Sequence, residues 1–503
     1  MAVSLLERAG QILSAASQLV FNAIENPRCK APVAGLACRE IQELCMPSLF
    51  APAIRLAAGW AENVRLDIDD AGMITSLTQN GDSAGAEKLR GLVVPGIPTL
   101  HSHAFQRALA GLGERRGGAE GDDFWSWREV MYRFLDRLTP EQVQIIATHL
   151  YVEMVEAGYS RVCEFHYLHR APDGKPYDDS LQMAWAHAEA ACDAGIALTL
   201  APCLYSYGNF GGAMHSRGQR RFILSTDAYL EAFSRLTSVS PPQRDFDIAI
   251  CFHSLRAVTP EQIETVLAAA PKDLPIHIHV AEQVKEVEAC VAWSGERPVE
   301  WLLNHVGLNE RWRLVHATHM TDAEAERAAK SGAVAVVCPT TEGNLGDGFF
   351  AADAWARAGG TLGIGTDSQI TVDPREELRL FEYARRLQRR QRSLSVTSEQ
   401  SHPGAQLWLS AAAADVRGGG AKTGVLDVGM RADFLVLDAD HANLAGCRGD
   451  AVFDALVFVS TPGPSPIRQN WIGGRCITQN GRHPKAEQAR SAYVDVVRTL
   501  QRG

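Results

Sequence analysis

Two histidines one residue apart, His101 and His103, close the apolar run GLVVPGIPTL, and four later stretches end on residues of the same chemical kind. CFHSLR brings His253 and Arg256, HIHVAE brings His279 and Glu282, LVHATH brings His316, and GIGTDS brings Asp367. These are metal ligands and acid/base groups. Residues i and i+2 of a strand share a face, so His101 and His103 can offer two imidazoles to one ion. A third histidine and a carboxylate from other strands complete an N3O set that suits zinc and leaves room for a water. One HxH pair says little by itself, because most histidines are core or surface residues. Several ligand-type residues on the ends of separate strands say much more.

Each residue also has a plain structural reading. His277 shares a strand face with His279 but lies deeper, which makes it a hydrogen-bonded core histidine and leaves His279 as the ligand. His166, His169, His305 and His319 have no spacing argument and read as supporting or surface residues. Asp367 closes an apolar run, where an unpaired buried carboxylate is costly and a metal is the simplest partner. Glu282 could open a helix, but beside a ligand histidine it reads as an acid/base group.

The elements that must position these residues follow from the pattern around them. From about residue 93, eight short apolar runs alternate with helical stretches: VVPGIPTLHSH, RVCEFHY, ALTLAPCLYS, DIAICFHSLR, PIHIHVAE, RLVHATH, AVAVVCPTT and TLGIGTDS. TPEQVQIIATHLYVEMVEAG and TPEQIETVLAAA carry a capping Thr, a Pro at the first helical position and a Glu in the first turn. Strand then helix, eight times, specifies a (β/α)8 TIM barrel, whose active sites lie at the C-terminal strand ends. A doubly wound sheet would need a Gly-rich phosphate turn after an early strand, and TLHSHAF is nothing like one.

Strand and hairpin patterns with DDAG and QNG turns flank the barrel on both sides. They predict a small β-sandwich-like domain built from both chain ends. The expected organisation is an N-terminal extension over 1–45, helical or disordered, a composite β-domain from 46–92 and 415–485, a barrel over 93–414, and a terminal helix over 486–503.

Composition narrows the function classes. The chain has 503 residues, 46% of them hydrophobic and 21% charged, with a formal net charge of −10, as expected of a globular protein able to bury a sizeable core. That charge argues against a general nucleic-acid binder, and the basic tract EYARRLQRRQRSL (382–394) reads as a solvated helix and loop. No run of about 18 uncharged apolar residues suggests a membrane span. The eleven cysteines are scattered, odd in number and without a CxxC pair, as in a reduced cytoplasmic protein.

With these motifs in place, the chain resembles the amidohydrolase superfamily in its mononuclear-metal deaminase branch. Binuclear members usually bring a lysine at the end of strand four, and DIAICFHSLR has none. LHSHAFQRALAGL, FWSWREVMYR, EFHY, CFHSLRAVTP, WSGERPVEWL, LVHATH, TEGNLGDG and GIGTDS are, more narrowly, similar to the formimidoylglutamate deiminase family of bacterial histidine degradation. The similarity runs from about Met46, where family members usually begin, to the C-terminus.

The resemblance implies hydrolysis of N-formimino-L-glutamate to N-formyl-L-glutamate and ammonia with one divalent ion, expected to be Zn2+. It places the metal on His101, His103, His279 and Asp367, with Asp367 also accepting a proton from water. It makes Glu282 the proton shuttle and His316 catalytic, and gives substrate binding to Gln106, Arg128, Tyr167, His253 and Arg256. Two arginines suit a dicarboxylate, each able to fork onto one carboxylate. Gln369 stands where the family pattern leads one to expect a histidine. The competing readings are a deaminase of a purine, pyrimidine or triazine ring, whose pocket would want stacking surfaces and few arginines, and an inactive barrel used as a scaffold. A homodimer is expected on base rates alone.

Overall fold

The computed structural model describes residues 48–114, 123–238 and 245–502, all within the compact unit Met46–Gly503. The extension expected over 1–45 lies outside the described residues. Five strands come first: β1 (Leu49–Leu56), β2 (Gly59–Ile68), β3 (Ile74–Gln79), β4 (Glu87–Lys88) and β5 (Leu92–Pro95). Then follow β6 (Ile97–Ser102), β7 (Tyr159–His166), β8 (Ala197–Leu204), β9 (Phe246–Ile248), β10 (Ile250–Ser254), β11 (Ile276–Val280), β12 (Trp312–His316), β13 (Val334–Val337) and β14 (Thr361–Ile364). The chain closes with β15 (Phe434–Leu437), β16 (Ile467–Ile472) and β17 (Arg475–Gln479).

The parallel order β6-β7-β8-β10-β11-β12-β13-β14, with β9 also paired to β8, is the expected barrel. A parallel bridge between Ser102 and Asp367 joins its first and last strands. Several strands are buried along their whole length, as a sheet covered on both faces must be. The helices that cover them start where the sequence says. Thr139 caps Pro140–Ala157 and Thr259 caps Pro260–Ala269, each in a reciprocal capping box with the glutamine three residues on and with proline in the first turn.

The two chain ends meet in one eight-stranded sheet, ordered β17-β16-β15-β5-β1-β2-β3 with β4 on β1. It has its own core, including Leu49, Ile54, Val64, Leu66, Phe434 and Trp471. The Asn470 side-chain amide fixes it to the barrel by donating to the carbonyls of Val155 and Tyr159. Its Asp69–Gly72 turn approaches another backbone so closely that a Cβ at Gly72, where φ is +78°, would lie 2.6 Å from the Gly473 carbonyl oxygen.

The basic tract lies on the helix Pro374–Arg389 and the loop after it. Arg385 and Arg389 pair with Asp353, and Arg386 pairs with Glu382, so much of its charge is spent locally. Among the described residues no helix is long and apolar enough to cross a membrane.

Candidate metal and substrate site

Strand alternation delivers the first two ligands. His101 and His103 point to one side at the end of β6, while Ser102 between them points to the other. His279 arrives from β11. Asp367 comes from three residues beyond β14, on a segment that folds back so that Thr366 and Asp367 donate their N–H groups to the His101 carbonyl and His103 donates to the Asp367 carbonyl. The glycines of GIGTDS make this closure possible. A Cβ on Gly365 would lie 2.6 Å from the His101 Cβ, and one on Gly363 would lie 2.5 Å from Leu100 Cδ1.

One ligand atom from each of His101, His103, His279 and Asp367 falls within 4.8 Å of the others, and all four residues are buried. The His101 and His279 Nε2 atoms are 3.0 Å apart, and Asp367 Oδ1 lies 3.2 Å from His101 Nε2 and 3.3 Å from His103 Nε2. Zinc–ligand bonds of about 2.0–2.2 Å place tetrahedral donors at about this mutual spacing. The protonation states agree with an N3O metal site. Burial pushes His101, His103 and His279 below the usual histidine range, His103 to about 3, leaving neutral imidazoles. Burial works against the Asp367 carboxylate, but the hydrogen bond with His101 and the positive charge of His316 hold it below the usual range. The His103 Nδ1 faces the Phe165 carbonyl at 3.0 Å, which fixes the proton there and turns Nε2 toward the site.

A second layer holds these ligands in place. Glu164 on β7 accepts hydrogen bonds from Ser102 Oγ (2.8 Å), the Ala104 amide (2.8 Å) and the Tyr151 hydroxyl (3.1 Å). Gln369 donates from Nε2 to Ser102 Oγ at 3.0 Å and to the Asp367 carbonyl at 2.8 Å. The residue that departs from the family pattern therefore ties the strand-eight segment to the HSH segment. Backbone strain collects nearby. His316, Ala317, Asp367 and Gln369, with Ala281 after β11, all have φ between +43° and +64°, each at a cost of about 1–3 kcal/mol that the surrounding bonds must offset.

Beside the four candidate ligands lies a cluster of titratable side chains. His316 Nε2 is 3.8 Å from Glu282 Oε1 and 3.9 Å from Asp367 Oδ2, and its Nδ1 is 3.4 Å from Glu342 Oε1. Burial raises Glu282 to about 7, with His316 partly opposing it. Burial also acts against a charged His316, but Glu282 and the groups on its other side raise it well above the usual value. Asp347, raised to about 9 by burial and by Glu282, completes a second cluster with Glu282 and His316. His316, Cys338 and Glu342 form a third. Both additional clusters depend on His316.

The rest of the pocket is lined by polar and aromatic side chains. Gln106, Arg128, Tyr167, His253 and Arg256 line it together with His103, His279, Glu282, His316 and Asp367, while His101 lies buried beneath. Gln106 donates to the Tyr167 hydroxyl at 3.2 Å, and its own Oε1 has no partner. The Nε atoms of Arg128 and Arg256 are likewise buried and unpartnered. Among the described residues no carboxylate forms an ion pair with either guanidinium.

His277 sits lower in the barrel with Nε2 3.6 Å from Cys163 Sγ. His166, the last residue of β7, and His169 beyond it are buried, and exposed His305 pairs with Glu296 at 2.6 Å. Ser102, Glu164, Glu342 and Asp347 were not singled out from sequence. Glu164 carried a usable signal, a carboxylate inside an apolar strand. The others become meaningful only once strand pairing is known.

Comparison with known proteins places this geometry in context. Residues 92–474 match the model of the amidohydrolase family. The chain is 47% identical over 455 residues to formimidoylglutamate deiminase from Pseudomonas aeruginosa, covering 90% of this chain and all of that one. Among solved structures, an amidohydrolase from Brucella melitensis superposes with a TM-score of 0.84 at 42% identity, covering 90% of this chain and 100% of its own. A zinc-bound adenosine deaminase from Xanthomonas campestris, at 21% identity with a TM-score of 0.71 and coverage of 90% and 98%, shares the fold.

Proposed function

The chain belongs to the amidohydrolase family, and from that premise we propose that it hydrolyses N-formimino-L-glutamate to N-formyl-L-glutamate and ammonia, a step of histidine degradation. The observation that carries this reading is one pocket with a candidate metal-ligand quartet and two arginines, Arg256 buried and Arg128 half-buried, whose Nε atoms have no partner and which, among the described residues, form no ion pair with a carboxylate. Paired unsatisfied arginines call for a dicarboxylate. A heterocyclic base would leave both positive charges without an anionic partner.

The quartet would hold one divalent ion, zinc, since its N3O donors surround one point and the other candidate clusters share His316. The chemistry such an ion supplies is Lewis acidity, which makes water nucleophilic near neutral pH. Asp367, ionised in its buried setting, accepts the proton of the attacking water as oxygen bonds to the formimino carbon. Glu282, poised near neutrality, protonates the terminal nitrogen. Asp367 then passes its proton to the same nitrogen while Glu282 takes the proton of the new hydroxyl. The carbon–nitrogen bond breaks with its electron pair on nitrogen, ammonia leaves, the formyl carbonyl forms and both carboxyl groups return to their starting states. His316, held protonated between Glu282 and Glu342, donates to the developing tetrahedral centre. Arg128 and Arg256 fork onto the two carboxylates, with Gln106, Tyr167 and His253 supplying further polar contacts.

The proposal extends to a barrel over 93–414, a composite β-domain of 46–92 with 415–485, and a helix over 486–503. It also has the enzyme acting as a cytoplasmic homodimer, with no membrane or nucleic-acid partner. Ammonia release from N-formimino-L-glutamate, guanine, cytosine and adenosine tests the substrate. The expected outcome is turnover of the first alone; preferred turnover of a ring substrate would overturn the reading.

A further inference from the structure

Among the described residues neither Arg128 nor Arg256 forms an ion pair; both face the Trp125 indole, and Arg128 Cζ also lies 5.5 Å from the Tyr132 ring centroid. Trp125 is the second residue of the helix Phe124–Leu135. Its ring centroid lies 4.4 Å from Arg128 Cζ, 5.7 Å from Arg256 Cζ and 5.8 Å from Lys285 Nζ. Three cations from three separate segments thus meet one ring: one from the same helix, one from the loop after β10 and one from the helix after β11. Asp123 pins the arrangement. Its Oδ1 caps the helix by accepting from the Trp125 and Ser126 amides, and its Oδ2 pairs with Lys285 Nζ at 3.0 Å.

Like charges placed together in a buried pocket repel, and each would otherwise swing toward solvent. The negative face of an indole offsets part of that repulsion without neutralising either charge or occupying its hydrogen-bond donors. A carboxylate in the same place would cancel the attraction for substrate. We propose that Trp125 is a positioning residue, whose ring face holds the Arg128 and Arg256 forks ready for the substrate's carboxylates and so sets the preference for a dicarboxylate. This rests on the proposed function.

The test compares Trp125→Leu and Trp125→Phe with the parent protein in kcat and KM for N-formimino-L-glutamate, in calorimetric affinity for glutarate, and in bound-metal content. Trp125→Leu is expected to raise KM and weaken glutarate about tenfold, with kcat within about twofold and metal content unchanged. Trp125→Phe, which keeps an aromatic face and guards against a folding defect in the leucine variant, is expected to recover most of the loss. Unchanged KM and glutarate affinity in Trp125→Leu, equal losses in both variants, or a fall in kcat alone would overturn the inference. If the parent does not turn over N-formimino-L-glutamate, the functional reading falls. Glutarate then decides: weaker binding in Trp125→Leu supports the positioning role, and equal binding overturns it.

Discussion

The two ends of the pocket are built on different principles. The metal end grows from strand termini and is braced from behind, with Glu164, Ser102 and Gln369 binding one another and the segments that carry His101, His103 and Asp367. The other end has Arg128 on a helix inserted between β6 and β7 and Arg256 on a loop, set against aromatic rings and, among the described residues, in no ion pair with a carboxylate. One end ties its ligand-bearing segments together through side-chain hydrogen bonds, whereas the other leaves Gln106 Oε1 and the Nε atoms of both arginines without partners. On the proposed function, the difference separates a site fixed for chemistry from one held open for a ligand.

Substitutions at the two ends should therefore fail in different ways. The largest effect belongs to the ligands. Asp367→Ala should lose bound metal and reduce kcat/KM on the order of 10⁴-fold, read by metal analysis alongside ammonia release. Next, Glu282→Gln should keep its metal yet lower kcat about 10³-fold, because it removes a proton donor without removing a ligand. Arg128→Met should leave metal content intact and raise KM about 10²-fold, the size expected for losing a charge-assisted fork. An effect on metal retention there would blur the contrast between the ends.

The smallest effect concerns the bracing. Glu164→Gln should weaken metal affinity about tenfold in a chelator competition, with little change in KM. Its pH signature sharpens the point. Burial raises the folded-state pKa of Glu164 from 4.5 to about 7, so the fold favours the protonated form. The associated stability, about 3 kcal/mol, is present below pH 4.5 and lost as pH rises through 7. Relative to the parent, denaturant midpoints of Glu164→Gln should fall less steeply across that window.

The same contrast explains what the sequence could reveal. His101, His103, His279 and His316 stand at strand ends, where side-chain alternation and the barrel rule point to a shared rim, so the chemical end was legible from spacing. Asp367 was legible as a costly carboxylate after an apolar run, although it lies three residues past the end of β14. Its left-handed backbone and its contact with Ser102 depend on how the first and last strands meet, which no local pattern encodes. Arg128 came only from the resemblance, since nothing in FWSWRE says that this helix borders the pocket mouth. Trp125, Glu342 and Asp347 escaped because their roles are relations between segments distant in sequence. The twin sequence patterns at the chain ends, by contrast, joined in one sheet because each left an apolar face that the other could cover.

Product identity after incubating the metal-replete protein with N-formimino-L-glutamate tests the central claim most directly, followed by NMR with ammonia quantified in parallel. Expulsion of the terminal nitrogen yields N-formyl-L-glutamate and one equivalent of ammonia. Formation of L-glutamate with formamide, or no turnover at all, would contradict a pocket that aims the formimino carbon at Asp367 and Glu282 while two arginines grip the dicarboxylate.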